Sequence, residues 1–194
     1  MLKEQNLQVL FYLHKMKGKI RCFIAINIPE DSANEILKIQ HKLKNNIWIG
    51  KFVEKKNLHL TLKFLGELSE ENTDRVKRRL SKINEKKFQA QLGKIGFFSP
   101  SFIRIIWIEI LGVNELQKKI DDALKNIFIE EKRFMPHLTI ARVKNMKDGA
   151  LFLNNLKNLP INPKKFEISE FYLVKSNLTE KGAEYEILDK FFLK

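Results

Sequence analysis

The sequence predicts an α+β fold built as two lobes of one domain. Three observations point there. Short β-rich runs alternate with amphipathic stretches along 194 residues, enough chain for one domain with a sizeable core. A tetrad of the form His, aliphatic, Thr, aliphatic occurs twice, as His59-Leu60-Thr61-Leu62 and His137-Leu138-Thr139-Ile140, each opening a strand-like run. No Pro/Gly/Ser-rich linker separates the two halves, so they read as an internal pseudo-repeat with little identity outside the tetrads.

In chain order, residues 1 to 18 form an N-terminal extension. Asn6 to Leu13 is apolar but short and lacks a small-residue cleavage site, so it does not read as a signal peptide. Either Met16 is the natural start and the upstream part a reading-frame extension, or the segment is a short element docked on the domain; the domain proper spans 19–194. Arg21 to Ile28 is a strand ended by Pro29. Glu30 to Leu43 places Ala33, Ile36, Leu37, Ile39 and Leu43 near a helical period. Ile47 to Val53 and Leu58 to Leu65 read as strands, the second closed by Gly66. Ser69 opens a helix to about Ile83, whose Arg75, Lys77, Arg78 and Arg79 spread too far round it to form one stripe and read as a solvated surface. Phe88 to Phe98 and Phe102 to Ile110 are a strand pair around Ser99-Pro100-Ser101. Val113 to Phe128 is an amphipathic helix. His137 to Val143 is a strand after Pro136, Ala150 to Leu159 a short helix, and Phe166 to Lys175 and Tyr185 to Phe192 the final strands.

Composition narrows the function. A hydrophobic share of 44% with 10% aromatic residues fits a folded globule. The net charge of +13 favours an anionic partner, most often nucleic acid. The single cysteine, Cys22, excludes an internal disulfide framework and a Cys-rich zinc site; in its apolar run it reads as a small buried hydrophobe, in keeping with the cytoplasm. No run approaches the roughly 18 apolar residues of a membrane helix. The four histidines show neither H-x-x-x-H nor H-E-x-x-H spacing, and there is no G-x-x-x-x-G-K-[ST] loop and no G-x-S-x-G elbow. No metal and no cofactor are expected, and no ATP.

In an extended strand His59 and Thr61 share one face while Leu60 and Leu62 take the other; His137 and Thr139 do the same against Leu138 and Ile140. A lone strand histidine is usually a hydrogen-bonded structural residue, and His14 and His41 are read as structural or surface residues. Repetition of the whole tetrad, using half the histidines of the chain, argues for chemistry instead. Two imidazoles suit general acid–base catalysis near neutral pH. Threonine hydroxyls donate to phosphoryl oxygens without adding charge. Together they fit metal-free displacement at phosphorus, one His activating the incoming oxygen and the other protonating the leaving one.

The chain here resembles the 2H phosphoesterase superfamily, which two H-x-T-x motifs define. The context Asn57 to Gly66 with Pro136 to Lys144, and the opening Arg21-Cys22-Phe23-Ile24-Ala25-Ile26, resemble its RNA 2′,3′-cyclic phosphodiesterase (2′-5′ RNA ligase) branch over about residues 19 to 194. The resemblance implies a bilobal fold of two antiparallel sheets facing a central cleft, with helices outside. It implies opening of a 2′,3′-cyclic phosphate end of RNA, tRNA fragments among the candidates, to a 2′-phosphate. His59 would be the acid for the leaving 3′ oxygen, His137 the base for water, and Thr61 and Thr139 the holders of the non-bridging oxygens. With a 5′-hydroxyl RNA end the chemistry would give a 2′-5′ linkage. Arg142 matches a position linked to the substrate phosphate, although its parity is that of Leu138 and Ile140, so a bulge or the strand end must re-aim it. Lys63 has the parity of His59 and is expected to add charge to the cleft. A monomer is expected. Two alternatives stay open: a 2H phosphodiesterase acting on a small cyclic nucleotide or 2′-5′ oligoadenylate, and a non-catalytic RNA-binding module.

Overall fold

A computed structural model describes residues 18–44, 48–99, 102–146, 149–157, 159–180 and 182–194. Residues 1–17 of the extension, with Met16 and His14, and the turn residues Pro100 and Ser101 lie outside them.

Among the described residues nine strands form two antiparallel sheets. The first contains β1 (Ile20–Asn27), β3 (His59–Leu68), β8 (Glu170–Thr179) and β9 (Gly182–Phe192), in the order β3-β1-β8-β9. The second contains β2 (Trp48–Phe52), β4 (Phe88–Phe97), β5 (Ile105–Leu111), β6 (His137–Met146) and β7 (Lys165–Ile168), in the order β2-β6-β5-β4-β7. The described residues also form four α-helices, α1 (Glu30–Lys44), α2 (Glu70–Leu80), α3 (Asn114–Leu124) and α4 (Gly149–Lys157), and a 3-10 turn at Lys55–Asn57.

Helices and sheets exchange partners. The first helix, α1, leaves the first sheet and packs on β6 of the second, while α3 leaves the second sheet and packs on β3 of the first. This interleaving gives one continuous core, with Ile24, Leu60 and Leu62 from one sheet joined to Ile108, Leu138 and Ile140 from the other. At roughly 25 cal/mol per Å² of buried apolar surface, such a shared core resists separation of the lobes. The motif strands β3 and β6 touch across the divide.

Local chemistry explains most boundaries. Ser69 caps α2, its Oγ accepting from the Asn72 amide at 3.3 Å. Arg79 of α2 donates to the carbonyls of Ala123 and Lys125 at the end of α3, so one of the four cations expected to be merely solvated ties two helices together. The third helix stops at Leu124, short of the expected Phe128, because Asn126 adopts a left-handed φ of 68° and the amides of Ile127 and Phe128 fold back onto the Leu124 carbonyl. Cys22 is buried, and burial pushes its thiol up to about 11.

Two expectations need correction. Phe166 to Lys175 is not one strand: β7 pairs with β4 in the second sheet and β8 with β1 in the first, the chain crossing between lobes at Ser169. Gly66 does not end β3. The strand continues to Leu68, and Gly66, at a φ of 72°, serves an irregularity in the ladder where Leu65 is extra. Among the described residues no helix is long and apolar enough to cross a membrane.

Candidate active site

Each motif strand is anchored by its apolar face. Leu60, Leu62, Leu138 and Ile140 are buried, whereas His59, Thr61, His137 and Thr139 are half-buried and line one cleft of about 470 Å³ between the sheets. Arg142 lines the same cleft.

A bulge brings Arg142 there. Thr139 pairs with Trp107 and Ala141 with Ile106, so one step along β5 spans two along β6 and Ile140 is the extra residue. Ile140 and Ala141 consequently both point into the core, and Arg142 returns to the face of His137. The same device stands at the same offset in the first motif. Thr61 pairs with Ala25 and Lys63 with Ile24, leaving Leu62 extra. Here it overturns the expectation for Lys63, which turns inward with Leu62 and is buried, while Phe64 takes the cleft-lining place that Arg142 holds in the other lobe. Buried, Lys63 pairs with Asp121 of α3 and donates to the Ile129 carbonyl at 2.7 Å. Asp121 also accepts from Gln117 Nε2 at 2.6 Å and from the Glu131 amide at 3.1 Å.

The two imidazoles are held alike. His59 Nδ1 lies 2.8 Å from the Asn57 carbonyl and His137 Nδ1 2.8 Å from the Met135 carbonyl. A carbonyl only accepts, so both rings carry their proton on Nδ1 and keep Nε2 for the cleft. Aromatic rings fix each plane. Phe23 and Tyr185 stand 5.0 and 4.9 Å from His59; Phe98 and Trp107 stand 4.9 and 6.5 Å from His137. None of these four is evident from the tetrads. The one local signal is Gly96, where any Cβ would meet the Trp107 ring at 2.3 Å, so that only glycine lets the indole lie across β4.

Burial and charge both act on His59. Burial holds the His59 imidazole below its ordinary value of 6.5; the hydrogen bond to the Asn57 carbonyl opposes this, and the Arg142 charge adds to it. Arg21, Lys51 and Lys56 also line the cleft, against Glu54 and Glu184, and Lys56 pairs with Glu54 at 3.3 Å; with Arg142 the lining keeps a net positive charge for an anion. Among the described residues no three His, Cys, Asp or Glu side chains converge to hold a metal ion.

A cleft between two sheets that His59, His137, Thr61, Thr139 and Arg142 all line is the setting for phosphoester chemistry. A family model described as LigT like Phosphoesterase matches residues 26–107 and 111–185, and the chain belongs to that family. It is 40% identical over 182 residues to a protein of Methanocaldococcus jannaschii named RNA 2′,3′-cyclic phosphodiesterase, covering 87% of this chain and 98% of that one. A protein of the same name from Methanothermobacter thermautotrophicus is 31% identical, over 90% of this chain and 100% of that one. Among solved structures, TT0787 of Thermus thermophilus matches with a TM-score of 0.76 and 26% identity, covering 89% of this chain and 97% of that one. E. coli LigT complexed with 3′-AMP shares the fold, with a TM-score of 0.72 at 24% identity over 91% of this chain and 99% of that one.

Proposed function

We propose that the protein opens 2′,3′-cyclic phosphate ends of RNA to 2′-phosphates by paired imidazole catalysis without a metal ion. The observation that carries this reading is the matched Nδ1–carbonyl bond of His59 and His137 within one cleft. It leaves two Nε2 atoms, one to take a proton and one to give it.

His137 Nε2 accepts a proton from water as the water oxygen bonds to phosphorus. The bond from phosphorus to O3′ breaks, and His59 Nε2 protonates the departing O3′, leaving a 3′-hydroxyl and a 2′-phosphate. Thr61 and Thr139 donate to the non-bridging oxygens, and Arg142 offsets the charge that grows on them in the transition state. Before substrate binds, burial and Arg142 disfavour a proton on His59. A phosphodiester anion beside both groups offsets the Arg142 charge, so binding draws a proton onto His59 and prepares it as the acid. A 5′-hydroxyl RNA end in place of water gives a 2′-5′ linkage by the same proton transfers. The names of the relatives and the net positive cleft lining support RNA as the substrate.

The test is incubation of an oligoribonucleotide ending in a 2′,3′-cyclic phosphate in the presence of EDTA, with the product end identified by ³¹P NMR. A 2′-phosphate as the product is expected. A 3′-phosphate, or turnover that needs added zinc or magnesium, overturns the mechanism.

A further inference from the structure

Beside the cleft the second lobe presents exposed aromatic surface, on Phe98, whose edge also orients His137, and on Phe102. Phe98 and Phe102, on either side of the β4–β5 connection, are 52% and 62% exposed. Isolated exposed apolar residues are common on protein surfaces. These two differ in their surroundings. Phe98 stands edge-on to His137, with ring centres 4.9 Å apart. The Arg104 guanidinium lies 4.0 Å above the centre of the Phe102 ring. Arg104 is also tied to the strand that carries Arg142: its carbonyl accepts from the Val143 amide at 2.8 Å, and Ile105 is paired with Arg142. Two pieces of π-surface, one against the imidazole and one covered by a cation, thus flank the β4–β5 connection.

We propose that Phe98, Phe102 and Arg104 form a stacking platform for single-stranded RNA upstream of the reacting phosphate. The proposal rests on the RNA-end reading above and adds to it where the rest of the strand lies. Unpaired bases stack on aromatic rings and on guanidinium planes, whatever their sequence. A duplex, its bases already stacked, gains nothing from such rings. The cation over Phe102 and the net charge of +13 complement a polyanion and disfavour a second copy of this chain as the occupant. The platform makes the enzyme one for RNA ends in a strand, with a cyclic mononucleotide filling only the reacting part of the site.

Two measurements test this on the full chain, with Phe102→Ala and Arg104→Met. Both positions are exposed and outside the reacting group, so turnover of 2′,3′-cyclic AMP serves as the internal check of folding. In the first, kcat/KM is compared for that mononucleotide and for a hexaribonucleotide ending in a 2′,3′-cyclic phosphate. The wild type should favour the hexamer, and each variant should lose roughly ten-fold on the hexamer while keeping the mononucleotide rate. Equal wild-type rates on both, or equal losses on both in the variants, overturn the platform. The second is binding of a single-stranded hexamer with plain hydroxyl ends, by fluorescence anisotropy against salt, which needs no turnover. Phe102→Ala should weaken binding at every salt concentration with an unchanged slope. Arg104→Met should also flatten the slope of log K against log salt by about 0.7. Unchanged binding in both variants, or concentration-dependent self-association that Phe102→Ala abolishes without any effect on RNA, overturns it. Absence of turnover on either cyclic phosphate, with platform-dependent binding intact, would instead remove the catalytic reading and leave the platform.

Discussion

Replacing Lys63 by methionine keeps the stem of the side chain and removes its charge. Asp121 is then left with Gln117 Nε2 and the Glu131 amide but no cation, and the Ile129 carbonyl loses a donor. Both charged side chains are 5% exposed, so water cannot take the place of the ammonium. Breaking a buried ion pair by removing one partner costs about 3–5 kcal/mol, because the remaining charge stays desolvated. For a chain of this size each kcal/mol moves Tm by roughly 2–4 °C, so Lys63→Met should melt roughly 6–20 °C below the wild type. Lys63→Met/Asp121→Leu removes the stranded carboxylate. Its penalty should fall below that of either single variant, although Gln117 and the Glu131 amide then lack their acceptor and recovery is incomplete. Thermal melts by circular dichroism, paired with denaturant titrations for the four proteins, give the cycle. A Lys63→Met variant within about 1 kcal/mol of the wild type, or a double variant that loses the sum of the single losses, would show that the pair is solvated and the inward bulge immaterial.

Other consequences follow from the site. The proton linkage of His59 has a definite sign. Its folded value lies below the unfolded 6.5, so the unfolded chain binds the extra proton, and stability is lost as pH falls through 6.5 towards the folded value. Wild-type Tm should therefore drop more steeply between pH 7 and 5 than that of His59→Gln; equal slopes would place His59 in solvent. Arg142→Ala should lower turnover by roughly 10- to 150-fold, the worth of a charge-assisted hydrogen bond, and Arg142→Lys should recover only part, lacking the planar fork. Unchanged turnover at saturating substrate would put Arg142 on the rim. The assignment of His59 as the acid is tested by a cyclic phosphorothiolate whose 3′ leaving atom is sulfur. A thiolate leaves without protonation, so His59→Ala should lose much less on that substrate than on the oxygen one; a larger rescue of His137→Ala would reverse the roles.

Much of this architecture is legible in the sequence because it is local. Period-two alternation places His59 with Thr61 and His137 with Thr139, and the leucines and isoleucine between them are buried as that pattern requires. The pattern fails three residues beyond each histidine. At Ile140-Ala141 two apolar residues in succession, within a strand that otherwise alternates, are a visible sign of a bulge, and Arg142 follows from it. At Leu62-Lys63 the equivalent pair contains a cation, which hides the bulge. Only its distant partner, Asp121, explains why Lys63 turns inward. The crossing at Ser169 is equally illegible, since a single residue separates β7 from β8 and their sheets are chosen by long-range pairing with β4 and β1. The rings of Phe23, Tyr185 and Trp107 reach the histidines from other strands, and that of Phe98 from the β4–β5 connection, for the same reason.

The central claim is that His59 and His137 act as one unit on a phosphate between them. It is tested most directly by single-turnover rates of His59→Ala, His137→Ala and the double variant on one RNA with a 2′,3′-cyclic phosphate end. Each single variant should lose at least roughly 10²-fold, and the double variant should be little slower than the slower single one, as for groups that work in concert. A double variant whose loss equals the product of the single losses, or a single variant within a few-fold of the wild type, would contradict it.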